Sequence, residues 1–438
     1  MSSAEEIQLI FIPGPGIGHI VSAVEFGKLL LDRDTCLSIT FLLINDPIVR
    51  DYTNSIPFHS DPRLRLLNLP DYSPQSQSAS TPSSDFKTKS ELPSIKAVEH
   101  VDRHKPLVRE AVLSIMSTMK PRVIGIIVDM FCASMIDVAD EFSIPTYIFF
   151  TSSAGFLSLM LSMQSLTDEN AVVLTELKDS DREFAVAGFL NPVPAKVLPS
   201  PMLDKNGGSE IVMSTARRIR KTRGIFINTF QELEPTIIQS LSNPNSDKLP
   251  PIYPVGPLLN LKSEQESKFS DIISWLDQQP RSSVVFLCFG SEGSFSEAQI
   301  KQLAAALESS GRRFLWSLRR RKQRDTSIPV DLLPEGFLQR TEEIGKVIGW
   351  APQAAVLSHA AVGGFVTHCG WNSILESLWF GVPMAAWPIY AEQQVNAFQV
   401  VLEMGVAVEI RMDYRDDEEI VSCRGWWFVT QVLDKSGP

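Results

Sequence analysis

Cysteine is scarce in this chain and is not arranged for bonding. The 438 residues hold five, Cys36, Cys132, Cys288, Cys369 and Cys423, an odd number at wide spacings with no Cys-x-x-Cys pair. That excludes a disulfide framework, a zinc knuckle and a dithiol redox centre, and it fits reduced thiols in a cytoplasmic protein. Positive charge is short as well: 40 Lys and Arg against 51 Asp and Glu leave a net charge of -11. Such a field repels phosphate backbones, so no nucleic-acid partner is expected. The basic run Arg319, Arg320, Arg321 and Lys322 reads as a solvated loop. The amino terminus carries Glu5 and Glu6 where an export signal needs cations, and its apolar run stops at Pro13. One stretch, Ile144 to Leu166, is uncharged over a bilayer-spanning length, but Pro145, Gly155 and the hydroxyls of Thr151, Ser152, Ser153 and Ser158 interrupt it. It reads as a buried strand turning into a core helix, and no transmembrane segment is expected.

What is present is an ordinary globular composition, 44% apolar and 21% charged, over a length that suits two domains. Short apolar runs bounded by turn residues alternate with helical patterns: Ile7 to Ile12, Leu37 to Ile44, Val123 to Val128 and Thr146 to Phe150. After the first run, Ile20, Val24, Gly27 and Leu31 share one helical face. A second series runs through Ser283 to Phe289, Arg313 to Ser317, Lys346 to Ile348, Gly364 to Thr367 and Met384 to Trp387. The expected architecture is α/β, two doubly wound halves built on parallel strands: residues 1–242, a linker over 243–270 that includes the proline-rich Pro250 to Pro257, and 271–438. A ligand is expected in a cleft between the halves, beyond the carboxyl ends of the strands. Asp71 to Glu91, rich in Ser, Pro, Gln and Thr, reads as a mobile surface loop, and a monomer is expected.

The informative region is Trp350 to Gln393, WAPQAAVLSHAAVGGFVTHCGWNSILESLWFGVPMAAWPIYAEQ. Gly363 and Gly364 lead into a short strand ending at Thr367, and His368, Cys369, Gly370, Trp371, Asn372 and Ser373 form the turn into a helix. The unpaired amides and positive dipole end of such a helix suit an anion, and a diphosphate fits that geometry. Trp350, at a strand end, can stack on a base. Each residue has a plainer role. Ser373-x-x-Glu376 is also a capping box, His368 could be a buried histidine bonded to backbone, and Trp379 and Trp387 read as core. Base-stacking, anion-binding and ribose-binding residue types in that order are not something a core requires.

Position by position, this stretch resembles the signature box of plant secondary-product UDP-glycosyltransferases, and the chain is similar to that family from its first strand to about Arg415. The resemblance implies a glycosyltransferase-B fold of two Rossmann-like domains facing a cleft, a UDP-sugar donor and no further cofactor or metal. It implies that Trp350 stacks on uracil beside Ala351 and Gln353, and that Glu376 holds the ribose hydroxyls. His368, Asn372, Ser373 and Ser291 would take the diphosphate, and Trp371, Glu392 and Gln393 the sugar. Gln at position 393 and Trp at 371 favour UDP-glucose over galactosyl and glucuronosyl donors; a side-chain amide can meet two adjacent equatorial hydroxyls.

Transfer to a hydroxyl needs a base, and histidine suits it at neutral pH. Six histidines are present, and His19 ends PGPGIGH just after the first strand. In the resembling family this is the catalytic base, with an Asp behind it that VIGIIVDMF supplies here as Asp129; Thr151 and Gly18 would touch the sugar or the dyad. Inversion to a β-glycoside follows. Acceptor contacts are expected from Phe11, Met130, Phe131, Phe150 and Phe156, an apolar lining that suits flat phenolics or terpenoids; the resemblance, strongest around VDMFCASMIDVADEFSIPTY and NPVPAKVLP, implies a flavonoid, stilbene or related acceptor.

Other readings are weaker. The first turn lacks the G-x-G-x-x-G of a dinucleotide site, because His19 stands where the third glycine belongs and Pro15 sits between the first two. Asp129 could be a helix N-cap. His100 and His104 are one turn apart but lie beside Glu99, Asp102 and Arg103, which reads as a solvated face rather than a metal site. Two departures from the family pattern stand out. Glu292 sets a negative charge next to Ser291, and VSCRGWWFVTQVLDKSGP replaces the family's closing helices, which would leave Trp426, Trp427 and Phe428 exposed. The second function carried forward is therefore a catalytically weak or inactive nucleotide-sugar-binding protein.

Overall fold

The structure, a computed structural model, describes residues 5–44, 61–71, 88–118, 121–243, 249–261, 269–290, 293, 295–320 and 328–413. Ser291, Glu292, most of the Ser- and Pro-rich loop, Arg321, Lys322 and the carboxyl-terminal segment from Tyr414 lie outside the described residues. The chain divides into two compact units, one of residues 1–195 and 201–259, the other of 196–200 and 260–438.

In the first unit β1 (Ile7–Ile12), β2 (Leu37–Leu43), β3 (Leu64–Asn68), β4 (Arg122–Asp129), β5 (Thr146–Phe150), β8 (Ile225–Ile227) and β9 (Ile252–Pro254) form one sheet ordered β3-β2-β1-β4-β5-β8-β9, and every pairing in it is parallel. β6 (Glu183–Phe184) and β7 (Val193–Pro194) make a separate short antiparallel pair. Branched and aromatic runs suit strands buried on both faces by crossover helices, which is why β2 (LSITFLL) is buried at every position but Ser38. The helix Ile17–Arg33 buries Ile20, Ala23, Val24, Phe26 and Leu31 against the sheet. Phe26 packs edge-on to Phe11, 5.9 Å between centroids, and stacks on Phe149 at 5.3 Å. Gly27 makes this approach possible, since a Cβ there would stand 3.0 Å from the ring of Phe41.

In the second unit β10 (Val284–Cys288), β11 (Arg313–Ser317), β12 (Gly345–Ile348), β13 (Val362–Thr367), β14 (Met384–Ala386) and β15 (Ala407–Glu409) give a second all-parallel sheet, ordered β12-β11-β10-β13-β14-β15. Leu287, Phe314, Trp316, Val366 and Trp387 are among its core residues.

Several expectations need correction. Pro250 to Pro257 is not linker throughout, because β9 pairs with β8 as the far edge of the first sheet; three residues at an edge carry too little pattern to be seen locally. Trp379 is 56% exposed rather than core, whereas Trp387 is 3% exposed. The face around His100 and His104 is not solvated. Glu99, Asp102 and His104 are all buried, with His104 Nδ1 donating to the His100 carbonyl at 2.8 Å. Among the described residues no group of three or more His, Cys, Asp or Glu side chains could hold a metal ion. The uncharged stretch is β5 followed by the buried helix Ala154–Asp168, and no described helix is long and apolar enough to cross a membrane.

Candidate functional site

In the first unit three strand ends deliver three polar side chains to one point. β1 runs into the Pro13–Gly16 turn, and His19 stands in the first turn of the helix that follows. Asp129 closes β4 and Thr151 follows β5. His19 Nδ1 lies 2.8 Å from Asp129 Oδ2, and the Thr151 hydroxyl lies 2.8 Å from the same nitrogen while donating to Asp129 Oδ2 at 3.2 Å. A carboxylate only accepts, so the Nδ1 proton points at Asp129 and Nε2 carries the lone pair of the ring. Asp129 is 2% exposed. Its other oxygen accepts from the Phe131 amide at 2.9 Å, capping the turn Met130–Met135. The cap and histidine-partner readings of Asp129 therefore hold together, one per oxygen.

Gly14 is what lets the dyad close. A Cβ there would fall 2.6 Å from Asp129 Oδ1 and 3.3 Å from His19 Nδ1. Gly18 is exposed in the first turn of the same helix. Of the apolar candidates, Phe131 is half-buried with its ring 4.9 Å from that of His19. Phe11 and Phe150 are instead core residues, 1% and 0% exposed, because β1 and β5 are covered on both faces. Phe156 packs on Phe150 at 5.8 Å, and Met130 is buried in the turn.

In the second unit the residues of the long motif gather at the carboxyl ends of β10 to β14. Trp350 follows β12, with buried Ala351 beside it. Gln353 begins the next helix, and its Nε2 donates to Ser373 Oγ at 2.8 Å and to Glu376 Oε2 at 2.7 Å. Desolvation pushes the Glu376 carboxyl up to about 7, with the Gln353 bond opposing. Ser373 and Glu376 do not form the capping box their spacing suggested. The helix Trp371–Phe380 starts at Gly370 with no side-chain cap, and a helix start of that kind suits an anion.

His368, 6% exposed, has its pKa pulled down to about 4 by burial, with the Cys288 backbone opposing, so it is a neutral imidazole. It is held between two glycines: a Cβ at Gly290 or at Gly370 would lie 2.5 Å from His368 Nε2. Cys369 takes a left-handed conformation at φ 62°, and Asn396 Nδ2 donates to its carbonyl at 3.1 Å, which fixes the turn. Trp371 is 3% exposed and Asn372 is half-buried. Gln393 Oε1 accepts from the amides of Ile389 and Tyr390 at 2.9 and 3.0 Å, and the half-buried Glu392 gives its carbonyl to Val395 and Asn396.

Sequence reasoning missed one contact here. Arg319, taken for part of a solvated loop, lies with its guanidinium carbon 4.8 Å from the centroid of the Trp350 ring. The signal was topological, since both residues come two positions after adjacent strands, and local pattern does not show which strands are adjacent. Its neighbour Arg320 pairs with Asp331.

A family model described as "UDP-glucoronosyl and UDP-glucosyl transferase" matches residues 258–422. A UDP-glycosyltransferase of Malus domestica is 52% identical over 429 residues, 94% of this chain and 88% of the relative. A UDP-glucose flavonoid 3-O-glucosyltransferase of Fragaria ananassa is 50% identical across 95% of this chain and 88% of its own length. A Medicago truncatula UGT solved with UDP-glucose matches with a TM-score of 0.83 at 41% identity, over 98% of this chain and 93% of that one. Two Rossmann-like units, each on its own parallel sheet, thus define a glycosyltransferase of the glycosyltransferase-B class. Within that class, the chain belongs to the plant UDP-glycosyltransferases.

Proposed function

We propose that the protein is a UDP-glucose-dependent O-glucosyltransferase that inverts the anomeric carbon and acts on a hydroxyl of a small hydrophobic acceptor, such as a flavonoid, stilbene, other phenolic or terpenoid. The observation that carries this is the His19–Asp129 pair at 2.8 Å with Thr151 on the same nitrogen. The acceptor oxygen attacks the anomeric carbon as the bond from that carbon to the β-phosphate oxygen breaks, and UDP leaves with the electron pair. The hydroxyl proton passes to His19 Nε2, and Asp129 stabilises the resulting imidazolium. Attack opposite the leaving group gives the β-glycoside.

On the donor side, Trp350 stacks on uracil, Gln353 and Glu376 meet the ribose, and His368, Asn372, Ser373 and the uncapped helix mouth take the diphosphate. Ser291 is assigned there too, though it lies outside the described residues. Trp371, Glu392 and Gln393 face the sugar. No step is assigned to a metal. The printed names of the relatives, one a UDP-glucose flavonoid 3-O-glucosyltransferase, support glucose as donor sugar and a phenolic acceptor. A cytoplasmic monomer is the accompanying reading, its compartment supported by unpaired thiols at Cys36, Cys132, Cys288 and Cys369.

The test is incubation with UDP-glucose and a panel of phenols. Transfer should fall about 10²- to 10⁴-fold in His19→Ala, the usual contribution of a general base, with UDP affinity by calorimetry unchanged. UDP binding without transfer to any acceptor would leave only a nucleotide-sugar-binding protein, and a folded sample that ignores UDP would overturn the donor assignment.

A further inference from the structure

We infer that Arg319 is a positioning residue for the nucleobase. Its guanidinium lies on one face of the Trp350 indole and holds that ring in place, so that the base stacks on the opposite face. The inference rests on the reading of Trp350 as the base-stacking residue, and it adds a second layer beneath it.

The geometry begins in the sheet. β11 and β12 pair with Ser317 opposite Ile348, so the chains that leave them do so side by side. Leu318 N donates to the Ile348 carbonyl at 2.9 Å, and the Ser317 hydroxyl donates to the Gly349 carbonyl at 2.8 Å. These two bonds tie the exits together up to the residues just before Arg319 and Trp350. One residue further on, Arg319 and Trp350 meet at 4.8 Å, within the range in which a guanidinium on an indole is attractive. A planar cation covers a flat ring better than an ammonium can, so Arg and Lys are not equivalent here. Trp350 is only half-buried, and without a brace its ring would keep rotamer freedom that binding must then remove. The neighbouring cation, Arg320, pairs with Asp331 instead of the ring.

The experiment compares Arg319→Ala and Arg319→Lys with the parent chain, measuring inhibition of glucosyl transfer by uridine and by UDP, together with kcat and the KM for UDP-glucose. Arg319→Ala should weaken uridine and UDP by the same factor, about three- to tenfold, the scale of one cation–aromatic contact. kcat at saturating donor should hold, and Arg319→Lys should recover less than half of the loss. The UDP effect should be equal at low and high salt, because stacking is not screened as a long-range charge is. A loss confined to UDP and erased by salt would make Arg319 a phosphate counter-charge and overturn the inference. Unchanged binding in Arg319→Ala would overturn it as well. Failure of the parent chain to bind UDP at all is a different result, which strikes the proposed function rather than Arg319.

Discussion

A hydrogen atom at position 14 decides whether the proposed base can be set up. The Cβ of an alanine there would enter the space of Asp129 Oδ1, and β4 is held in place between β1 on one side and β5 on the other. Gly14→Ala should therefore lower kcat by about 10²-fold or more while UDP affinity stays at the parent value. Steady-state kinetics with calorimetry checks this, and a variant that turns over normally would show that the His19–Asp129 contact is dispensable. The pairing at this scale was legible: His19 after the first strand and Asp129 at the end of a later one were expected together, and they lie 2.8 Å apart. The clearance was not legible, because Gly14 and Gly290 look like ordinary turn glycines until the side chains they make room for are known. Phe11 and Phe150 went wrong for a related reason: an aromatic at a strand end can face a ligand or the core, and composition does not say which.

The helix Ala154–Asp168 begins three residues after Thr151. Its first two amides donate to a single buried carboxylate, Glu234, with Ala154 N to Oε2 at 3.0 Å and Gly155 N to Oε1 at 2.8 Å, while Ser153 Oγ caps Phe156 N. A carboxylate at a helix start accepts both bonds and meets the positive dipole end. Glu234→Gln removes the charge and turns an NH2 group toward one amide, so stability should fall by about 1 to 3 kcal/mol, the cost of a buried donor left without an acceptor. Urea unfolding followed by circular dichroism measures it, and an unchanged midpoint would mean the cap contributes nothing. At this scale the sequence was readable where a strand was an apolar run bounded by turn residues: β1, β5 and β11 fell within a residue of their bounds, whereas β3, largely exposed, went unread. Short edge strands such as β9 and β15 had no pattern to read. Nor could spacing alone show that Ser373 and Glu376 answer to Gln353, twenty-odd residues upstream, rather than to each other.

For the molecule as a whole, two groups in the second unit pull stability in opposite directions as pH falls. Glu376 has its pKa raised from 4.5 to about 7, so between those values the folded state holds a proton the unfolded chain lacks, and acidification through that window stabilises. His368 has its pKa lowered from 6.5 to about 4, so over that range the unfolded chain takes a proton the folded state refuses, and acidification destabilises. Where the windows overlap, the two effects offset each other. Glu376→Gln should raise the melting temperature in mild alkali, by the equivalent of roughly 1 to 2 kcal/mol, and steepen the loss of stability in acid. His368→Gln should abolish that loss. Melting curves across the pH range decide it, and parallel curves for all three chains would refute the offset.

Gln393 arrives at the same kind of commitment without titrating. With its oxygen claimed by two backbone amides, the side chain cannot flip to exchange donor for acceptor, and only its NH2 group remains to meet a partner. Any hydroxyl that docks against it must offer a lone pair and turn its own hydrogen elsewhere. The polarity of any such handshake is thus written into the loop before a partner arrives.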